Sequence, residues 1–263
     1  MSRIDDIFST LRADNRSGLM PFITGGHPDV ATTTALLQRL GSAGAHITEV
    51  GIPFSDPIAD GPVIAGAMHR VLEAGTCIND ILAGVAQARP TTDMGFVAMV
   101  SESIVHRRGS GAFLHTLAEA GFDGIIVPDL DPRRAAPLLS VADELDLSFS
   151  LLVAPTTPVG RLKTLASDCR GFIYLLARTG ITGASSDLPD LHDRVAEIRT
   201  VTNLPIAAGF GIGTPEQVAV ATSACDAAIV GSALVRTMGG AADPIQAALA
   251  FVESLATGLH STA

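Results

Sequence analysis

Apolar positions along this chain fall into two kinds of segment that alternate. Short, nearly unbroken apolar runs such as MGFVAMV, DGIIVPD and GFIYLLA are separated by longer stretches, such as AFLHTLAEAG, in which apolar residues recur every three or four positions. The first kind suits a strand of a parallel sheet covered on both faces, the second an amphipathic helix. Read in order, strands are predicted in LMPFITGG, HITEVGIPF, MGFVAMV, DGIIVPD, LSFSLLVAP, GFIYLLA, PIAAGFG and AAIVGSALV. Helical patterns follow them over residues 29–44, 65–75 with 78–87, 112–121, 133–145, 159–167, 190–202, 215–224 and 243–257.

Eight strand–helix units with short connections close most naturally into a single-domain α/β fold, the (β/α)8 TIM barrel. Ahead of them, Ile4, Ile7, Phe8 and Leu11 fall at i, i+3, i+4 and i+7. That spacing predicts an extra N-terminal helix over residues 1–14 capping one end of the barrel, rather than the unbroken apolar core of a signal peptide. The alternative is a doubly wound open sheet, but the TGGHPD that follows the first strand lacks the G-x-G-x-x-G spacing of a dinucleotide turn. The 263 residues suit one barrel of about 250 residues. The domain is therefore expected to span 1–263, with a frayed tail at 258–263.

Charge and cysteine usage narrow the function classes. A formal net charge of −10 argues against nucleic acid or an anionic membrane surface as a partner. An anionic ligand would need local donors. Gly, Pro or a charged residue interrupts each apolar run before membrane-spanning length. The three cysteines, Cys77, Cys169 and Cys225, have neither disulfide-framework nor zinc-site spacing, as expected of reduced thiols in a cytoplasmic protein. His46 and His69 have no metal-like spacing either, and no metal site is expected.

Candidate chemistry gathers where a barrel puts it, at the C-terminal ends of the strands. The stretch EVGIPFSDPIADGP carries Glu49 at a strand end among Ile47, Val50 and Ile52, with Asp56 and Asp60 on a proline-rich loop. A carboxyl fixed on a strand facing carboxyls on a loop can separate two pKa values and assign them different work. Asp before Pro or Gly is equally common in plain turns, and a strand carboxylate can simply find a buried partner. Strand 7 ends in GFGIG, containing Phe210 and Gly211, and strand 8 ends in Gly231 and Ser232. Glycine-rich loops at these two strands are the usual phosphate cradle of the fold. Gly183, in the loop TGITGASSD after strand 6, could complete it.

With Glu49, SDPIADGP, TGITG, GFGI and GS in barrel order over the whole chain, the sequence closely resembles the tryptophan synthase alpha subunit. That resemblance implies a lyase of tryptophan biosynthesis that cleaves indole-3-glycerol phosphate to indole and glyceraldehyde 3-phosphate by a retro-aldol reaction. It implies no metal or coenzyme in this chain, and a pyridoxal-phosphate beta subunit as partner in an alpha2beta2 heterotetramer. By resemblance, Glu49 is the general acid and base, its apolar strand raising its pKa toward neutrality, and Asp60 accepts the indole N–H as an ionised carboxylate. Phe22, Ile126 and Tyr174 would build the indole slot. Gly183, Phe210, Gly211, Gly231 and Ser232 would contact phosphate, and Thr182 would fold over the site to join Asp60. Arg178 would steady that loop. Pro53, Asp56 and Pro57 match the family's partner interface.

One segment departs from the family. Within MVSESIV, Val100 stands where the family's tyrosine is expected and Glu102 where its asparagine is. This alters the expected slot wall and adds a carboxylate to a partner rim that already holds Asp56 and Asp60. Two alternative readings follow: a stand-alone lyase releasing free indole, and a non-catalytic regulatory subunit. The second sits poorly with intact Glu49 and Asp60.

Overall fold

The computed structural model describes residues 2–57, 60–176, 191–209 and 211–259. Arg178, Thr182, Gly183 and Phe210 therefore lie outside the described residues. The chain runs α1 (Arg3–Ala13), β1 (Gly18–Thr24), α2 (Val30–Arg39), β2 (Ile47–Gly51), α3 (Pro62–Glu73), α4 (Ile78–Ala88), β3 (Gly95–Met99), α5 (Glu102–Arg108), α6 (Ser110–Glu119), β4 (Gly124–Ile126) and α7 (Ala136–Glu144). It continues with β5 (Ser148–Ser150), β6 (Leu152–Val153), α8 (Val159–Ser167), β7 (Ile173–Leu176), α9 (His192–Arg199), β8 (Ile206–Gly209), α10 (Pro215–Ala224), β9 (Ala227–Val230), α11 (Ser232–Gly239) and α12 (Pro244–Ala256).

All ladders between these strands are parallel, in the order β5-β4-β3-β2-β1-β9-β8-β7-β6. The two ends of that order are consecutive pieces of one predicted strand. Ser148–Ser150 pairs with Gly124–Ile126 on one side, while Leu152 and Val153 pair with Tyr174 and Leu175 on the other. The fifth strand thus closes the barrel by handing its pairing from one neighbour to the next. At the change-over the Leu151 N–H donates to Cys169 Sγ at 3.3 Å instead of to a strand carbonyl. This is why one apolar run became two short strands. Cys169 is buried, and burial pushes its thiol up to about 12, so it stays protonated and serves as a weak acceptor.

Two further differences from the sequence expectation lie at loops. Residues 102–108 form a helix of their own, α5, because Ser101 accepts from Ser103 N at its start and Gly109, with φ +80°, separates it from α6. The tail is ordered further than expected: Gly258 is buried, and a β-carbon there would sit 2.0 Å from the Pro215 carbonyl oxygen.

Strand alternation sorts the core into layers. Outward residues such as Val50, Phe96, Ile125 and Phe149 join the helices in one large cluster, while inward residues such as Met20, Ile47, Val97, Ile126, Phe172 and Ala207 fill the barrel. The floor of that interior is α1, whose Ile4, Phe8 and Leu11 belong to the same cluster. A capping box between Ser2 and Asp5 starts α1.

Two carboxylates pin the floor. Asp123, just before β4, accepts the Phe96 N–H at 2.8 Å and an Arg89 N–H at 2.9 Å, and Arg3 of α1 reaches it at 3.2 Å. Asp226, just before β9, accepts the Ile206 N–H at 2.7 Å and pairs with Arg199, and Arg12 of α1 reaches it at 3.5 Å. Each carboxylate joins two adjacent strands to a guanidinium on the preceding helix segment and to one end of α1. Arg89 and Asp123 are both largely buried, whereas Arg3 is 40% exposed. Removing Asp123 leaves the Phe96 N–H without its acceptor and the buried Arg89 guanidinium, still bonded to the Thr92 and Met94 carbonyls, without its counter-ion, so Asp123→Ala is expected to lower stability by about 2–4 kcal/mol. Arg3→Ala is expected to cost less than about 1 kcal/mol. Urea unfolding of both variants checks this, and equal losses would contradict it.

Candidate active site

The last turns of β1, β2, β3, β6, β7 and β9 and the first residues of α3 and α11 enclose one cavity. Its walls are Phe22, Glu49, Asp60, Ile64, Met99, Pro128, Leu152, Tyr174, Gly211, Ile212, Ile229, Gly231 and Ser232. Glu49 is on β2, whose alternation sends Val50 outward and Ile47, Glu49 and Gly51 inward. It is fully buried, and neither carboxyl oxygen has a hydrogen-bond partner among the described residues. Burial alone drives its pKa up to about 8. With no cation or donor to offset desolvation, the neutral acid is the stable form at neutral pH.

Asp60 reaches the cavity from the other side. Gly61 occupies the N-cap of α3 and Pro62 its first position, so the chain must enter the helix at this point and Asp60 is fixed just ahead of it. Its own N–H donates to the Pro57 carbonyl at 3.2 Å. Burial raises its pKa too, to about 6. At pH 7 one carboxyl is therefore mostly protonated and the other mostly ionised. Tyr174 stands close enough to both for their charges to add to burial in holding its phenol well above the usual range, so its hydroxyl keeps its proton.

The opposite end of the cavity is formed by a helix N-terminus. Gly231 is the N-cap of α11 and Ser232 its first residue, and the cap makes no side-chain hydrogen bond. The first N–H groups of that helix therefore have no side-chain acceptor at the cap, at the positive end of its dipole. Gly211, with φ +80°, holds a conformation that most side chains disfavour.

Most of the described candidates meet here: Phe22, Glu49, Asp60, Tyr174, Gly211, Gly231 and Ser232 all line the cavity. Ile126 does not. It is fully buried within the barrel interior, in the same apolar cluster as Tyr174, and does not line the cavity. The strand-3 residue that faces the cavity is Met99, whereas Val100 lines a neighbouring apolar cavity of about 210 Å³ with Ile52, Phe54, Asp56, Pro57 and Met68. Asp60, Met99 and Pro128 form the wall common to both cavities.

The residues expected at a partner rim fall in different surroundings. Asp56 is exposed, Pro57 half-buried and Pro53 buried, the last lining a groove with Leu72, Cys77 and Ile104. Glu102 corrects its expectation. Its carboxylate is not left unpaired at the rim but bonds Arg134 at 2.6 Å. Its N–H and the Ser101 hydroxyl both donate to Asp129, each at 2.7 Å. The sequence pattern MVSESIV showed the acid but not the arginine thirty-odd residues on that neutralises it.

Wall residues missed from sequence, namely Ile64, Met99, Leu152, Ile212 and Ile229, are apolar and look like core. Strand parity was the available signal for three of them, since Met99, Leu152 and Ile229 lie two residues beyond the inward Val97, Ser150 and Ala227. His46 is structural: its Nδ1 accepts the Leu19 N–H at 3.2 Å, and burial with nearby Arg16 lowers its pKa to about 4. His69 is exposed beside Glu73. Among the described residues no group of His, Cys, Asp and Glu is placed to hold a metal ion, and no helix is long and apolar enough to cross a membrane.

Comparison with known proteins agrees with this geometry. A sequence model of the family described as "Tryptophan synthase alpha chain" matches residues 8–263. The chain is 40% identical to the tryptophan synthase alpha chain of Trichormus variabilis, with all of both chains covered. It is 38% identical to that of Acaryochloris marina, with 98% of each covered. Among solved structures, a Mycobacterium tuberculosis tryptophan synthase chain superposes with a TM-score of 0.90 at 35% identity, covering 98% of both chains. The tryptophan synthase subunit alpha of Legionella pneumophila does so with a TM-score of 0.90 at 33% identity and the same coverage. A barrel with these two carboxyls at its mouth, matched over nearly its full length, belongs to the tryptophan synthase alpha chain family.

Proposed function

We propose that this chain cleaves indole-3-glycerol phosphate to indole and glyceraldehyde 3-phosphate, and does so in complex with a tryptophan synthase beta subunit. The observation that carries the reading is the pairing, in one apolar cavity, of a carboxyl with pKa about 8 and another with pKa about 6, facing a helix N-terminus with no side-chain cap. A retro-aldol cleavage uses all three. Glu49, protonated at neutral pH, donates its proton to indole C3. The resulting carboxylate then takes the proton of the chain hydroxyl next to the ring, the carbonyl forms, and the carbon–carbon electron pair returns to the ring. Glu49 ends protonated, as it began. Asp60 stays ionised and accepts the ring N–H as positive charge develops there. Phosphate sits against the N–H groups of Ser232 and its neighbours in α11, with Gly211 and Gly231 allowing close approach. No metal or coenzyme is asked of this chain; pyridoxal phosphate belongs to the beta partner's own reaction.

Family membership supports a beta partner, and an alpha2beta2 assembly is the form in which we place it. Asp56 and Pro57 remain at the surface of the mouth where such a partner would dock. A stand-alone lyase and a regulatory subunit are less well supported, the latter because both carboxyls are present and oppositely poised.

Glu49→Gln is expected to keep the fold and lose turnover by at least about a thousandfold, since an amide neither gives nor takes the proton; near-normal indole release would remove Glu49 from the mechanism. The same variant tests the buried acid. The folded-state pKa of Glu49 lies above its ordinary 4.5, so its contribution to stability is complete below about pH 4.5 and is lost as pH rises through about 8. Relative to wild type, Glu49→Gln should therefore gain stability between pH 5 and 9, by up to about 5 kcal/mol. A difference that does not change with pH would contradict this. For wild type, kcat is expected to rise as Asp60 ionises near pH 6 and to fall as Glu49 loses its proton near pH 8. A rate flat across pH 5.5 to 9 would separate the two carboxyls from the rate-limiting step. Titration with the beta subunit from the same source should raise indole formation, and a rate indifferent to it would favour the stand-alone lyase.

A further inference from the structure

Two aromatic rings form facing parts of the cavity, and both are seated in the same way. Phe22 on β1 lies in register with Glu49 on β2, and Tyr174 on β7 lies in register with Ala207 on β8. In each case the residue two positions beyond that register partner is a glycine, Gly51 or Gly209. A β-carbon at Gly51 would lie 2.4 Å from Phe22 Cζ and 2.6 Å from Cε2. A β-carbon at Gly209 would lie 2.6 Å from the Tyr174 hydroxyl and 2.9 Å from two of its ring atoms. Each ring therefore lies flat across the next strand in the space where that side chain would otherwise stand.

Backbone freedom does not explain these glycines. Both end regular strands with full ladder pairing, and neither has positive φ. Glycine in such a position is a sign that another group approaches closely. Here the groups are the two rings, and both belong to the cavity wall. The clear space between the walls is about 60 Å³, so a ring displaced by a methyl group would have to swing into it.

We propose that Gly51 and Gly209 are specificity-determining residues of this site: by letting Phe22 and Tyr174 lie back against the neighbouring strands, they set the width of the slot that admits the substrate's bicyclic ring. This rests on the functional reading above, because it takes the ring of the ligand to be indole. The two glycines touch no reacting atom. They act through the rings they seat, which makes the effect selective: it falls on the apolar half of the ligand and spares the phosphate half.

The experiment compares Gly51→Ala and Gly209→Ala with wild type, using two probes, indole and glycerol 3-phosphate, each by calorimetry, together with steady-state kinetics on indole-3-glycerol phosphate. Thermal unfolding confirms that each variant folds. Both variants should bind indole about tenfold more weakly and raise KM by a similar factor, the scale on which a pocket senses one methylene. They should bind glycerol 3-phosphate as wild type does. On a Phe22→Leu background, which removes the ring edge that the methyl group meets, Gly51→Ala should cost far less indole affinity than it does in wild type. Unchanged indole binding in the alanine variants would overturn the inference. So would parallel loss of both probes, which would mark the glycines as structural, or a Gly51→Ala cost as large on the Phe22→Leu background as in wild type. If wild type binds neither probe, the functional reading falls and the inference falls with it.

Discussion

A buried carboxylic acid with no hydrogen-bond partner among the described residues is the constraint on which the site turns. Removing a carboxylate from water without a partner is costly enough that the group takes up a proton instead, and Glu49 shows that outcome. Keeping it dry requires a barrel interior that stays closed beneath it. That closure comes from elements remote from the mouth: the inward Ile47, Val97, Ile126 and Phe172, and the apolar face of α1 below them. The two aspartate clamps hold that floor to the strands above. The raised pKa of Glu49 is in this sense a property of the whole barrel, while Asp60, less deeply placed at the start of a helix, keeps a lower pKa because it keeps more water.

Much of this was legible in the sequence because it rests on residue types with strong local meaning. Alternating apolar runs and periodic stretches gave the strand–helix order. Glycine and proline marked the loops, and a carboxylate inside an apolar run identified Glu49. Gly231 and Ser232 stood out because strand 8 of a barrel is where a phosphate cradle is expected. The illegible part consists of pairings between distant residues. Nothing local in MVSESIV announces that Glu102 meets Arg134, or that Asp129 will cap the helix beginning at Glu102. Nothing in LSFSLLVAP announces that its middle amide turns to a cysteine thiol while the two ends of the run pair with different neighbours. Met99 was overlooked for a different reason. Its side chain is chemically that of a core residue, and only the count of positions from Val97 gives its direction.

The rim after strands 3 and 4 also changes the picture of how this chain departs from its family. A carboxylate introduced into an acidic mouth would repel it, but here the new acid is held by an arginine and its backbone amide by Asp129. The acid is balanced within the chain, so the charge at this edge is set by the pair and not by Glu102 alone.

The two floor clamps carry a last consequence. Asp123 and Asp226 repeat one arrangement of carboxylate, strand amide, helix-end guanidinium and α1 arginine at opposite sides of the barrel, and α1 reaches both with its two ends. At its base the barrel is thus fastened to one crossbar at two points by the same kind of contact. At its mouth the likeness is gone: one side carries Glu49 and Asp60, the other the N-terminus of α11, which has no side-chain cap. The cavity therefore has a polarity, acids at one end and a helix N-terminus at the other, that the fastening below it does not share.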